Sequence, residues 1–300
     1  MDIFKKLIPS KRLRFKIISF FKFVPDKSML KFQYKMKCHR KLNLKDPKRF
    51  TEKIQWYKLN YKDEKMPVCA DKFAVRDYIT KKGYGYLLKE LYASFDSVDE
   101  IDLNKLPDSF VLKLSNGSGT NIIVRDKSKI SLDEIKKKFK DYYNQANTRA
   151  GREWSYHAIK PRIIAEEIIV DPGFENGIPN DFKVLCFYGE PKIIYRVSDQ
   201  YSDKENHLVY DTEWNQIKVN FSNSDCTKTA ERPANLEEMI SIAKNLSAGF
   251  PLARVDLFSI NGRLYFGEIT FFPWSGYMTF DPDSFDYMVG DMFTLPEKNN

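Results

Sequence analysis

Arg254-Val255-Asp256 and Glu268-Ile269-Thr270 stand in two strand-like runs, 252–260 and 263–270, joined by Asn261-Gly262. Side chains alternate along a strand, so Arg254 and Asp256 share a face, as do Glu268 and Thr270. Whether the two faces coincide depends on loop parity. A two-residue Asn261-Gly262 loop pairs 260 with 263 and sets Asp256 and Glu268 on opposite faces. A three-residue loop ending in Gly262, a type I turn with a G1 bulge, unites all four residues, and this odd-length loop is the expectation. Carboxylates brought together repel unless a cation lies between them, and Mg²⁺ takes a few carboxylates together with phosphate oxygens and water. The bland alternative is an Arg–carboxylate cross-strand pair on a solvated face.

Three further features carry chemistry. Lys113 lies in a strand-like FVLKLS run that leads into the loop Asn116-Gly117-Ser118-Gly119-Thr120, where an ammonium and backbone N–H groups can surround phosphates. It is not a Walker A loop, since no G-x-x-x-x-G-K-[ST] occurs, and taken alone N-G-S-G is more often just a flexible hairpin loop. Glu166 and Glu167 interrupt the apolar IIAEEII run; one can accept from an adenine amino group, or one can face solvent at a sheet edge. Lys183 is alone in the apolar DFKVLCFYG run, where it either contacts phosphate or snorkels. Asp281-Pro282-Asp283 fits a metal-binding D-x-D pattern, but fits better a helix start with Pro at its first position. Three histidines without H-E-x-x-H, and no G-x-S-x-G, leave hydrolase triads and zinc sites without parts.

The elements that must position these residues change character along the chain. Residues 11–24, 28–42, 51–61 and 70–82 read as helices, with Thr51 as an N-cap and Gly83 closing the last. From Phe110 the texture is strands at 110–115, 121–125, 162–170, 181–189, 192–198 and 207–211. A helix is expected at 131–146, another at 235–248 and a terminal one from about 283, with a turn at Gly189-Glu190-Pro191. The chain has 300 residues, 42% hydrophobic and 30% charged, which excludes disordered, collagenous and coiled-coil classes. Its net charge of +8 is unevenly spread: residues 1–60 hold 18 Lys and Arg against 4 Asp and Glu, and the remainder is net acidic. No run is apolar enough to span a bilayer or to serve as a signal peptide. Four scattered cysteines without a C-x-x-C pair read as reduced cytoplasmic thiols.

Taken in order, Lys113, the Gly117–Gly119 loop, Glu166/Glu167, Lys183, Arg254-x-Asp256 and Glu268-x-Thr270 resemble the ATP-grasp superfamily. More closely, the chain resembles the TupA-like ATP-grasp proteins of bacterial polysaccharide loci. The likeness runs through DPKRFTEKIQWYKL (46–59), ADKFAVRDYI (70–79), FVLKLSNGSGTNIIV (110–124), REWSYHAIKPRIIAEE (152–167), DFKVLCFYGEPKII (181–194), YDTEW (210–214) and ARVDLF…LYFGEITFFPWSG (253–276). It implies an α+β ATP-grasp fold, two subdomains gripping ATP, after a basic helical segment. The parts expected are 1–65, 66–165 with the Gly-rich flap, and 166–300 with the metal site.

The implied cofactors are ATP and Mg²⁺. ATP is held by Lys113, Asn116, Gly117, Ser118, Gly119, Glu166, Glu167, Ile169 and Lys183, and the metal by Asp256, Glu268 and Thr270. Arg254 and Lys183 stabilise the transferring group. Thr270 departs from the superfamily's usual Asn, and a hydroxyl is the weaker ligand. The implied reaction joins a carboxylate, a uronic acid or an amino acid, to an amine through an acylphosphate. The alternative is a glycosyltransferase of capsular or cell-wall polysaccharide synthesis with Asp281 and Asp283 at its metal. For residues 1–27 the expected partner is an anionic membrane surface at the cytoplasmic leaflet, against a helical segment with solvated lysines; no nucleic-acid motif accompanies the charge.

Overall fold

The computed structural model describes residues 21–146, 149–174, 177–221 and 224–299. The helix expected over 11–24 lies mostly outside them; Phe21–Phe23 forms a short 3₁₀ turn. In chain order follow α1 (Asp26–Cys38), α2 (Phe50–Asn60), α3 (Lys65–Ala70), α4 (Val75–Lys81), β1 (Leu91–Phe95), β2 (Phe110–Leu114), β3 (Asn121–Val124), α5 (Leu132–Ala146), α6 (Trp154–His157) and β4 (Ile163–Glu166). Then come β5 (Asp181–Phe187), β6 (Glu190–Ser198), β7 (Asn206–Tyr210), β8 (Gln216–Ile217), β9 (Asn220–Phe221), α7 (Leu236–Ser247), β10 (Leu252–Ile260), β11 (Arg263–Thr270), β12 (Phe280–Asp281) and α8 (Ser284–Met292).

Two compact units interleave along the chain, where the sequence reading has three consecutive parts. The first draws on residues up to 37, 64–75 and 89–168; the second on 38–63, 76–88 and 169 onward. In the first, four antiparallel strands lie in the order β1-β4-β2-β3. The α5 residues Ile135 and Phe139 pack with Leu112, Leu114, Ile122, Ile163 and Ala165 into one buried core. In the second, six antiparallel strands run β11-β10-β5-β6-β7-β8. Helix α7 buries Met239, Ile242 and Leu246 and lies against the Cys186 face of β5, whose thiol meets the Ala243 carbonyl. The face carrying Lys183 is therefore the opposite one.

Several local expectations change for identifiable reasons. The helix expected over 70–82 is shorter, 75–81, because α3 ends at Ala70 and the Asp71 carboxylate then accepts from the Phe73 and Ala74 amides in a turn. Gly83 does end α4, at φ 87°. Arg49, not Thr51, caps α2; the Thr51 hydroxyl instead donates to Asp286 on α8 at 2.7 Å. The turn between β5 and β6 is Tyr188-Gly189, at φ 51° and 80°, and Glu190 and Pro191 already belong to β6. Helix α8 begins at Ser284, so Pro282 precedes its cap rather than opening it.

Strand β1 escaped the sequence reading, and its presence covers β4 on one side while β2 covers the other. β4 is thus an interior strand, not an edge.

Candidate functional site

The β10–β11 hairpin closes with a two-residue loop. Ile260 pairs with Arg263, and Asn261 and Gly262 take φ 49° and 78°, the left-handed pair that matches strand twist. The expected three-residue loop is therefore wrong, and taken alone this loop would separate Asp256 from Glu268. Parity is restored farther down the hairpin. Asp256 faces Glu268 while Leu257 faces Phe266, so Gly267 is an extra, bulged residue. Glycine is required there because a Cβ would stand 2.9 Å from the Asp256 backbone oxygen and 3.2 Å from Phe258. Beyond the bulge Arg254 faces Thr270, and all four residues meet on one face.

β5 supplies the rest of that face, with Lys183 directly beside Asp256. The Arg254 guanidinium grips Asp256 with both arms, Nε to Oδ1 and Nη2 to Oδ2, each at 2.7 Å. It also reaches Glu268 Oε1 at 3.1 Å, which accepts from the Thr270 hydroxyl at 3.2 Å. The Lys183 ammonium donates to Asp256 Oδ2 at 2.7 Å and to Asp181. Asp181, Lys183, Arg254, Asp256 and Thr270 are buried, whereas the Glu268 side chain keeps 34% of its surface and marks the open side of the cluster. The solvated-face reading and the snorkelling reading of Lys183 both give way to this burial.

The electrostatics follow from burial and pairing. Burial pushes the Asp181 carboxyl up to about 6 against the pull of Lys183. Burial alone lowers the Lys183 ammonium, but Asp181 and Asp256 outweigh it and the group is held above its ordinary value. Arg254 is likewise held charged, with Asp256 and then Glu268 overcoming desolvation. Three carboxylates here face two cations, an excess of one negative charge that favours a further cation at the cluster. The donors are all oxygens, which suits Mg²⁺. Asp256 and Glu268 are the pair expected from the sequence to hold it, and among the described residues no group of three or more His, Cys, Asp or Glu is arranged around a metal position.

The turn after β11 braces the cluster. Trp274, Ser275 and Gly276 all have positive φ, 46°, 58° and 65°, a conformation that costs two non-glycine residues about 1–3 kcal/mol each. Gln55 of α2 holds it by donating to the Ser275 and Gly276 carbonyls, each at 2.9 Å, and Lys58 donates to the Ser275 carbonyl at 2.8 Å. The Trp274 ring then lies 4.8 Å from the Arg254 guanidinium, a cation–π contact, and 4.9 Å from Tyr195.

In the first unit, Lys113 and Glu166 form an ion pair at 2.8 Å, with both side chains largely buried. Neither the pair nor the burial of Glu166 was expected; the pair follows from β2 lying beside β4, whose other side is covered by β1. Glu167 lies just past β4 and accepts from the Glu90 amide at 3.2 Å, and Ile169 is half-buried in irregular chain beyond it. In the loop, the Asn116 amide donates to the Tyr156 carbonyl at 3.4 Å, Gly117 is buried, and Ser118 and Gly119 are exposed. A Cβ on Gly117 would fall 2.1 Å from the Thr120 hydroxyl, so only glycine fits. Lys72 was missed. Its ammonium donates to the Gly117 carbonyl at 2.7 Å and its amide to the Ser115 carbonyl at 3.1 Å. The signal was a lysine beside Asp71 just ahead of α4, in a segment read as continuous helix. Asp283, the second acid of the D-x-D pattern, is clasped by Arg40 at 2.7 Å and Arg49 at 2.6 Å. Arg49 holds its carboxyl down to about 2, so its charge is already spent on arginines.

The chain belongs to the TupA-like ATP-grasp family, whose model matches residues 52–294. No curated protein matches it. Among solved structures it is similar to the D-alanine–D-alanine ligase of Bacillus anthracis complexed with ATP, at 18% identity and TM-score 0.42, covering 75% of this chain and 65% of that one. It is similar also to the D-alanine–D-alanine ligase of Helicobacter pylori, at 14% identity and TM-score 0.43, covering 81% and 68%. A third is the N5-carboxyaminoimidazole ribonucleotide synthetase of Thermus thermophilus, at 11% identity and TM-score 0.38, covering 68% and 45%. The chain thus spans just under two thirds of the length of the first of these ligases.

Proposed function

We propose that this protein is an ATP-dependent carboxylate–amine ligase that modifies a bacterial surface polysaccharide or its precursor. The observation that carries the reading is the single sheet face on which Arg254, Asp256, Glu268, Thr270 and Lys183 meet, within the region matched by the family. In this reading a substrate carboxylate oxygen attacks the γ-phosphorus of ATP; the bond to ADP breaks and an acylphosphate forms. An amine then attacks the acyl carbon, the C–N bond forms, and inorganic phosphate leaves with the acyl oxygen it acquired. Mg²⁺ held by Asp256 and Glu268 would neutralise phosphate charge, with Thr270 a weaker oxygen ligand or a group that orients water.

The chain's own residues do the remainder. Arg254 presents a fixed, permanently charged fork to charge developing on the transferring group. Lys183, kept protonated by Asp181 and Asp256, supplies a second cation to phosphate. Lys113 and the Asn116–Gly119 loop bind phosphate, with Lys72 bracing the loop through Gly117, and Glu166, Glu167 and Ile169 receive the adenine. The cysteines described are all free, which suits a reduced cytoplasmic setting. No helix among the described residues is long and apolar enough to cross a membrane, and residues 1–27 are read as meeting anionic lipid from one side.

The test is acceptor-dependent ADP release across a panel of amino acids and uronic-acid glycans. Glu268→Ala and Lys113→Ala are each expected to lower the rate by roughly 10²–10³-fold, and nucleotide binding should require Mg²⁺. Turnover of a sugar nucleotide without ATP, or full activity in Glu268→Ala, would overturn the assignment.

A further inference from the structure

The first unit carries an exposed face that the ligase chemistry does not use. On α1, Met29, Leu30 and Tyr34 point inward, while Lys31, Phe32, Lys35 and Met36 point to solvent. Phe32 is 61% and Met36 52% exposed, one helical turn apart, and Lys31 and Lys35 form a parallel row beside them. The preceding turn adds Phe23, 83% exposed, with the Lys22 ammonium 5.0 Å above its ring. Asp26 is the one acid between residues 21 and 38, and it is turned away from the lysines by Arg152 at 2.7 Å and Arg149 at 3.7 Å. Lys31 and Lys35 have no carboxylate partner among the described residues.

Hydrogen bonds anchor this helix and the turn before it. Arg152 is itself buried, and besides Asp26 it donates to the Phe21 carbonyl at 2.6 Å and the Val24 carbonyl at 3.1 Å. Gln33 of α1 donates to the Ala150 carbonyl at 2.9 Å. A buried guanidinium thus ties the turn that carries Phe23 to the start of α1.

We propose that this face of α1 and the turn before it docks on an anionic phospholipid bilayer, with Phe23, Phe32 and Met36 entering the headgroup boundary and Lys22, Lys31 and Lys35 meeting lipid phosphates. Large apolar side chains standing in water between uncompensated lysines match that partner on both counts, the apolar boundary and its negative surface. The proposal extends the membrane reading of residues 1–27 onto a folded helix, rests on that reading, and is independent of the ligase assignment.

Co-sedimentation of the full chain with vesicles of phosphatidylcholine alone, and of phosphatidylcholine mixed with phosphatidylserine, tests it. Binding is expected only to the mixed vesicles. Lys31→Gln with Lys35→Gln should weaken it roughly 30-fold, and Phe32→Ser with Met36→Ser about tenfold or more. ADP release in solution should be unchanged in both variants, which separates this result from any failure of the ligase reading. A third full-length variant replaces Lys5, Lys6, Lys11, Arg12, Arg14 and Lys16 with Gln. If that variant loses binding while both α1 variants bind like the original chain, the α1 face is overturned and residues 1–27 alone carry the contact. Absence of binding by the original chain overturns both. Displacement from vesicles by inorganic phosphate would overturn the bilayer in favour of a simple anion site.

Discussion

Burial raises the Asp181 carboxyl from its ordinary 3.8 to about 6, and the sign of the consequence is definite. Below about pH 4 the folded and unfolded chains both hold this proton. Between about pH 4 and 6 the unfolded chain releases it first, so folding stability contributed here falls as pH rises, and it is level above about pH 6. Asp181→Asn is therefore expected to flatten the stability profile across that window by about 3 kcal/mol relative to the original chain, measured by denaturant unfolding at a series of pH values. An unchanged difference between the two chains from pH 4 to 7 would refute it. Asp256 is a different case, since it balances two buried cations. Asp256→Ala leaves Arg254 and Lys183 without it and should cost about 3–5 kcal/mol, a loss that Asp181→Asn does not reproduce because Lys183 then keeps Asp256.

The elements place these charges through two backbone devices. Gly267 alone sets the parity of β10 against β11, so its replacement is a sharper probe than any loop change. Gly267→Val forces a Cβ against the Asp256 carbonyl; we expect either a register that turns Glu268 and Thr270 away from Asp256 or a protein destabilised by about 2 kcal/mol or more. In both cases Mg²⁺-dependent nucleotide binding is lost, whereas Asn261→Asp, which keeps a residue tolerant of positive φ, leaves it intact. Calorimetric titration distinguishes these outcomes. At the start of α8, Asp283 is held ionised to about pH 2 by Arg49 and then Arg40, yet its side chain is 48% exposed. Asp283→Asn should thus cost only about 1 kcal/mol after solvent screening. That contribution is present above about pH 4 and fades as pH falls toward 2, and ADP release is unaffected, as a catalytic metal ligand would not allow.

At the scale of the molecule, the net charge of +8 is an average of two regimes. The basic excess lies in residues 1–60, and in the strand-rich remainder Lys183 and Arg254 are buried and Lys113 largely so, each paired with a carboxylate. Bulk affinity for polyanions is not what the charge encodes. Raising ionic strength should release the chain from anionic vesicles, because exposed lysines are screened. The same change should alter ADP release far less, because Arg254 and Lys183 are desolvated; parallel sedimentation and ADP assays over one salt series check this.

The order of site residues, the strand alternation and most element boundaries were legible in the sequence because they depend on local pattern: β10 and β11 begin and end where apolar periodicity says they should. Three things were decided only in three dimensions. The union of Arg254, Asp256, Glu268 and Thr270 was expected, but through a loop that does not exist; a bulge is a relation between two strands, and one strand's sequence shows only a glycine. The interior place of β4, and with it that of Glu166, depends on β1, a short strand of mixed polarity whose pairing partner lies some seventy residues away. Lys183 meets Asp256 because β10 lies beside β5, a contact between positions 73 residues apart, and Asp181 joins them from the same face of β5. Chain-local pattern specified which charged residues the strands carry and in what order, and long-range strand pairing determined where the charges point and how dry they are.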